Sequence, residues 1–366
     1  MQIDLTAASS GATNVARARV LAFYLPQFHP IPENDEWWGA GFTEWTNVAK
    51  AKPLYAGHVQ PRLPADLGFY DLRVPEVREL QAGLARKAGI ESFCYWHYWF
   101  GNGRRILERP FEEVLASGKP DFPFCLAWAN VSWTGVWHGL SGKTLVEQTY
   151  PGKADEEAHF RWAQRAFEDP RYSKVYGKPV FVVLSPSNLP STRNFIEHWR
   201  ELAHRAGYPG IYFVGIWDSF EPPGERYHAP YLDPFDAVTL LGPHDYLARH
   251  HRAVTRPLVT KIKGLIPQRI KALRPKIRTG PNRVSYSDVL AQAYDDMPQG
   301  ARYLPSVLSG WDNTPRSSRR GWVYEGFTPE LFKIHMDLAI SRLRDHPKEE
   351  RILFLKAWNE WAEGNI

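Results

Sequence analysis

The sequence predicts an α/β fold of the (β/α)8 TIM-barrel type in a single domain. Three observations carry that expectation. Short apolar runs alternate with segments of helical periodicity, which is the signature of a parallel sheet covered by helices. Eight such runs occur, and 366 residues suffice for one large barrel. No Gly-x-Gly-x-x-Gly follows the first run and no P-loop lysine motif occurs, so the competing open doubly wound sheet lacks its usual markers.

The elements follow in order. Arg19 to Leu25 is the first strand. Pro75 to Ala88 is a helix, with proline at its first position, Val77, Leu80 and Leu84 on one face, and Gly89 after its end. Ser92 to Trp96 is the second strand, followed by a helix containing Phe111 and Leu115, then the third strand, Pro123 to Ala127. A helix from about Asp155 to Phe167 leads to strand four, Lys178 to Leu184, an almost unbroken apolar run of the kind buried on both faces. Ser191 caps a helix reaching Ala206, with Ile196, Trp199 and Leu202 inward and Gly207 as its stop. Gly210 to Ile216, Phe235 to Leu241 and Tyr303 to Leu308 are strands five to seven. Thr328-Pro329 opens a helix carrying Leu331, Ile334 and Leu338, and Arg351 to Trp358 is strand eight. Residues 1–18 read as an N-terminal extension and 19–366 as the barrel. The chain stops at Ile366, directly after strand eight, so the helix that would cover that strand is expected to be missing.

Composition narrows the function classes. Hydrophobic residues at 43% and charged residues at 23% are ordinary globular values and argue against disorder. A net charge of +5 is too weak to imply nucleic acid. The two cysteines, Cys94 and Cys125, lie in strand-like runs and read as buried small hydrophobes. The first residues lack the apolar core of a signal peptide, and no window approaches the ~18 to 20 apolar residues of a membrane span. The expectation is a cytoplasmic protein. The stretch from Arg249 to Arg278 holds ten Lys or Arg and no acidic residue. It suits a peripheral contact with the inner membrane or the pyrophosphate of a lipid-linked glycan, or else a basic helix packed through Leu265, Ile266, Ile270 and Leu273.

The unusual quantity is aromatic. Aromatic residues make up 14% of the chain and include 15 Trp, clustered at Trp37-Trp38, Tyr95 to Trp99, and Trp128 to Trp137. An indole offers a flat apolar face and one N–H, which suits the C–H face and hydroxyl rim of a sugar. A tryptophan-rich core would explain the same clusters.

In a barrel the active site lies at the carboxyl ends of the strands. There the sequence places Gln27 and His29, then Glu44 and Trp45 in the long first loop; His97 and Tyr98; Trp128 and Asn130; Trp217 and Asp218; Trp311, Asp312 and Asn313; and Asn359, Glu360 and Glu363. Glycosidic cleavage typically needs one protonated and one ionised carboxyl group. Glu360 and Glu363, three apart in a tight turn and flanked by Trp358 and Trp361, are the catalytic candidates. A solvated pair at a strand end would show the same spacing. His250-His251 and the other histidines form no metal-binding spacing, Ser185 lacks a nucleophile elbow, and neither metal nor cofactor is expected.

Several motifs are long and unusual: Tyr24-Leu25-Pro26-Gln27-Phe28-His29-Pro30, Gly41-Phe42-Thr43-Glu44-Trp45-Thr46-Asn47-Val48, Phe124-Cys125-Leu126-Ala127-Trp128-Ala129-Asn130, Trp311-Asp312-Asn313-Thr314-Pro315-Arg316 and Trp358-Asn359-Glu360-Trp361-Ala362-Glu363-Gly364. Together they resemble the glycosyltransferase WbsX family of bacterial polysaccharide clusters, from about Arg19 to the last residue. The resemblance implies kinship with glycoside hydrolase family 99, the endo-α-mannosidases, and hence an α-linked, mannoside-like oligosaccharide or polysaccharide as substrate. It adds Tyr24 and Arg316 to the candidate substrate-binding residues. It also implies that Glu360 acts as base on the sugar 2-hydroxyl and Glu363 as general acid/base, through a 1,2-anhydro sugar and with net retention. The chain departs from the family pattern after Asn130, where Val131-Ser132-Trp133-Thr134-Gly135-Val136-Trp137-His138-Gly139 replaces a stretch that usually carries Glu, Arg and Asp. Three functions follow: a retaining glycoside hydrolase, a retaining transferase of O-antigen (lipopolysaccharide) or capsule biosynthesis, and a non-catalytic sugar-binding barrel.

Overall fold

A computed structural model describes residues 18–135, 143–217, 229–241, 280–295 and 297–365. Asp218, the pair His250-His251, the basic stretch from Arg249 to Arg278, Val136 to Gly139 and the extension before Ala18 lie outside the described residues.

Nine parallel strands build the sheet: β1 (Arg19–Tyr24), β2 (Ser92–His97), β3 (Phe124–Trp128), β4 (Lys178–Val183), β5 (Tyr212–Trp217), β6 (Ala237–Leu240), β7 (Tyr303–Leu304), β8 (Ser306–Leu308) and β9 (Ile352–Lys356). Their hydrogen-bonded order is β7-β6-β5-β4-β3-β2-β1-β9-β8. The two ends of that path, β7 and β8, are separated only by Pro305. Proline has no N–H for the ladder, and its carbonyl instead accepts from the Phe354 N–H at 3.0 Å. The expected seventh strand is therefore split, one half pairing with β6 and the other with β9. The sheet comes back on itself as a nearly closed barrel.

Helices α1 (Pro32–Trp38) and α2 (Glu44–Lys50) occupy the long loop after β1. The outer layer contains α3 (Pro75–Lys87), α4 (Arg109–Ser117), α5 (Lys153–Phe167), α6 (Thr192–Arg205) and α9 (Pro329–Arg342), with short α7 (Tyr286–Leu290) and α8 (Thr314–Ser317) near strand seven. The expected caps form: Ser191 accepts from the Asn194 N–H and Thr328 from the Leu331 N–H. Among the described residues no helix is long and apolar enough to cross a membrane.

Two helix faces differ from expectation. In α3 the buried side chains are Arg78, Gln81, Ala82 and Ala85, whereas Leu80 is exposed. Arg78 is drawn inward by the Leu72 carbonyl and by Glu113, 2.8 Å away on α4. Gln81 accepts the Tyr24 hydroxyl. In α9, His335 and Ala339 face in and Leu338 faces out, because His335 Nδ1 pairs with the buried Tyr286 hydroxyl at 2.8 Å. Specific polar partners outweigh the simple apolar stripe in both helices.

Side-chain parity decides what the barrel mouth contains, since alternate residues of a strand point to opposite faces. Phe23 stacks on Trp96 at 4.7 Å and on Phe354 at 5.2 Å, marking one set of positions as interior. Tyr24 meets Phe93 and Tyr95 under the helices. His97 meets His159 and Trp162 of α5, and Trp128 meets His159 and Phe195. Cys94 and Cys125 are aligned neighbours on β2 and β3, free and fully buried.

Candidate active site

A cavity of about 260 Å³ opens at the carboxyl ends of the strands, near the lower limit of small-ligand sites. Gln27, Glu44, Tyr98, Arg316, Glu360 and Glu363 line it, together with Trp38, Trp96, Trp133 and Lys356. Six of the candidates thus meet in one place, although they come from four widely separated stretches of chain.

Five charged side chains alternate in sign along its floor. Glu44 Oε1 accepts from Arg316 Nε at 2.8 Å, and Arg316 Nη1 donates to Glu363 Oε1 at 2.5 Å. Lys356 Nζ lies 3.1 Å from Glu363 Oε2 and 3.4 Å from Glu360 Oε2. Glu360 Oε1 accepts from the indole N–H of Trp96 at 3.0 Å. Each carboxylate is satisfied by a charged or N–H donor, the condition under which buried charge is tolerated.

The two glutamates titrate in opposite directions. Burial pushes Glu360 up to about 7; Lys356 pulls it down and the charge on Glu363 pushes it back up. Burial would raise Glu363 as well, but Lys356 and Arg316 together overcome it and hold that carboxyl well below the usual carboxylate range. At neutral pH Glu363 is ionised, while Glu360 stands near the midpoint of its titration and so carries an exchangeable proton. Burial and the nearby Glu360 charge also raise the Tyr98 phenol, which stays neutral.

The turn that presents the pair is pinned from two sides. Asn359 Oδ1 accepts from the Leu25 N–H at 2.7 Å, and its Nδ2 donates to the Leu25 carbonyl at 2.9 Å, tying the ends of the first and last strands. The Asp312 N–H donates to the Glu363 carbonyl at 2.7 Å. Gly364, at φ +71°, passes so close that an added Cβ would stand 2.7 Å from the Asp312 nitrogen, so no larger residue fits there.

The remaining candidates lie outside the cavity and brace it. Asp312 is fully buried and accepts from His58, Gln60 and Thr314, which sets the start of α8 and thereby Arg316. Asn313 receives the Trp322 N–H, and the Trp311 ring lies under Lys356 at 5.2 Å. Asn130 bridges the ends of β3 and β4 through both backbone groups of Ser185. His29 Nδ1 pairs with the Pro26 carbonyl, and the Trp45 indole donates to the Tyr70 carbonyl. Tyr24, His97, Trp128 and Trp217 occupy strand positions facing the helical layer, at 8% exposure or less.

Trp96, Trp38, Trp133 and Lys356 were not among the candidates, and a signal for two of them was available. Trp96 has the interior parity that His97 lacks, and Lys356 is the lone charge in an otherwise apolar strand. Val131, Ser132, Trp133 and Thr134, from the stretch that departs from the family pattern, form part of the wall.

The fold and the charged cavity define a barrel protein with its polar groups gathered at the carboxyl ends of the strands. It belongs to the family described as Glycosyltransferase WbsX, which matches residues 20–366. The WxcX protein of Xanthomonas campestris pv. campestris strain B100 is 36% identical over 356 residues, covering 95% of this chain and 47% of that protein. Its counterpart in strain ATCC 33913 is 37% identical with the same coverage. The chain spans about half the length of these curated relatives. Among solved structures, a glycoside hydrolase-like protein is 16% identical at a TM-score of 0.55, covering 95% of this chain and 86% of its own. That likeness shows the barrel fold. The GH99 endo-alpha-mannosidase from Bacteroides thetaiotaomicron is 12% identical at a TM-score of 0.49, with coverage of 95% and 86%.

Proposed function

We propose that this barrel acts on an α-linked, mannoside-like glycosidic bond of a bacterial cell-surface glycan, with retention, using Glu360 and Glu363 as its acid/base pair. The observation that carries this reading is the buried pair itself: two carboxyls at a barrel mouth, Glu363 held between the cations of Arg316 and Lys356 and Glu360 against the Trp96 indole, in a cavity walled by indole rings. Pairs driven apart in this way supply a base and an acid at the same pH.

The charge arrangement supports a definite division of labour. Glu363 takes the proton of the sugar 2-hydroxyl. The 2-oxygen attacks the anomeric carbon while the bond to the leaving oxygen breaks, and Glu360 gives its proton to that oxygen. Water then opens the 1,2-anhydro ring at the anomeric carbon, yielding its proton to Glu360, and the 2-oxygen recovers a proton from Glu363. Two inversions give net retention. Neither carboxyl bonds to carbon, so their closeness is no obstacle. This division reverses the one that the resemblance implies, and it favours Glu360 as the donor because Glu363 is held ionised by two cations.

The family's description as a glycosyltransferase favours a second reading in which a sugar hydroxyl replaces water as acceptor. Mass spectrometry of α-mannosyl and deoxyhexosyl oligosaccharides, with and without sugar nucleotides, separates the two. Shortened glycans without nucleotide, absent with Glu363→Gln, are the expected result. Lengthened glycans that require a nucleotide donor would establish the transferase. Glycan binding without turnover by folded protein would leave a sugar-binding barrel.

A further inference from the structure

Lys356 closes β9, whose other members, Ile352 to Leu355, are apolar. Its side chain is buried, and its ammonium lies 5.2 Å above the Trp311 ring with an acidic oxygen of each glutamate within 3.4 Å. A buried lysine is costly unless its charge is used. The groups facing the pair are Glu44, Tyr98, Trp96, Arg316 and Lys356. Arg316 is bonded to Glu44 and Glu363, one carboxylate on each of two nitrogens, and Glu360 is not among its hydrogen-bond partners. Among the described residues Lys356 is thus the cation in salt-bridge contact with both members of the pair, and the one in such contact with Glu360.

We propose that Lys356 is a positioning residue for Glu360: its ammonium, shared between the two carboxyls, keeps the Glu360 proton exchangeable near neutral pH. The inference rests on the acid/base reading of the pair given above. Burial and the neighbouring Glu363 charge both oppose ionisation of Glu360, and an acid that never ionises cannot take the proton back in the second step. The ammonium at 3.4 Å supplies the counterweight. Glu363 is less dependent on it, because Arg316 remains in contact when Lys356 is neutralised.

The test is a carbon-13 NMR titration of glutamate-labelled protein, with Glu360→Gln identifying the Glu360 carboxyl resonance. In Lys356→Met the Glu360 midpoint is expected to rise by about one pH unit or more, while Lys356→Arg, which keeps the charge, shifts it by less than about half a unit. Glu363 stays ionised at neutral pH in every variant. An unchanged or lowered Glu360 midpoint in folded Lys356→Met would overturn the proposal. If that variant fails to fold by circular dichroism, Lys356→Gln, polar and of similar reach, is read in the same way. The titration uses no substrate, so a protein without turnover still decides the role of Lys356. Where turnover is present, the alkaline limb of kcat/KM should move with the NMR midpoint; a rate loss with no shift of the limb would indicate a merely structural lysine.

Discussion

Two buried clusters of titratable groups meet β2 at consecutive residues, Trp96 and His97, and they have opposite fates. On the interior side, Trp96 leads to Glu360, Lys356, Glu363, Arg316 and Glu44, a line of charges around a cavity. On the exterior side, His97 Nε2 lies 2.9 Å from His159 Nε2, enclosed by Trp99, Trp128, Trp162 and Trp199. Burial holds His97 neutral, its pKa pushed down to about 3, and lowers His159 still more decisively. The first cluster holds Glu44, Arg316, Glu363 and Lys356 in opposite-charge pairs, with Glu360 titrating beside them. The second discards its charges because burial disfavours the charged form and, among the described residues, no acidic side chain is paired with either ring. The comparison teaches that residue type at a strand end says little about function until parity and counter-charge are known.

The sharpest way to break the comparison is chemical. Glu363→Gln and Glu360→Gln should each lower turnover by about two to four orders of magnitude, measured as product formation by protein shown by circular dichroism to be folded. On the other side, Trp199→Ala should leave the charges untouched yet cost about 3 to 5 kcal/mol in denaturant midpoint, since Trp199 is fully buried against His159, Phe181 and Phe195. Gly364→Ala should cost about 1 to 3 kcal/mol through its positive φ and the contact with Asp312, and it should lower activity by displacing Glu363. The smallest effect sharpens the contrast through pH. His97 binds a proton in the unfolded chain below about 6.5 but not in the folded one. Its stabilising contribution is therefore full above 6.5 and is lost as pH falls, by about 1.4 kcal/mol per unit, down to the folded value. Urea unfolding at pH 7.5 and 5.5 measures this, and His97→Gln should reduce the difference, leaving the part due to His159.

The architecture was legible in the sequence because eight apolar runs and their helix caps are local signals. Strand seven was legible as one run, but its division was missed although Pro305, which cannot feed a ladder, stood in plain view. The carboxylate pair, with Glu44, Gln27 and Tyr98, was legible from its place after the strands, and Arg316 from the family motif, but that all six line one cavity depends on barrel closure. Tyr24, His97, Trp128 and Trp217 were chosen for chemistry at a strand end, without asking which face each occupies. Counting by two from Phe23 and Trp96 would have separated the layers. The roles of Asn359, Asn130 and Asp312 as braces were not legible, because their partners, Leu25, Ser185 and His58, are brought beside them only by barrel closure.

The central claim is that Glu360 and Glu363 form an acid/base pair with the exchangeable proton on Glu360. Its most direct test is the rate of Glu360→Gln and Glu363→Gln on a series of α-mannosides whose leaving groups differ in acidity. A leaving group that needs no proton relieves the loss of the acid and leaves the loss of the base uncorrected. The account predicts that Glu360→Gln recovers with the most acidic leaving groups while Glu363→Gln remains inactive throughout. Recovery of Glu363→Gln alone would contradict the assignment, and full activity in both variants would contradict the pair.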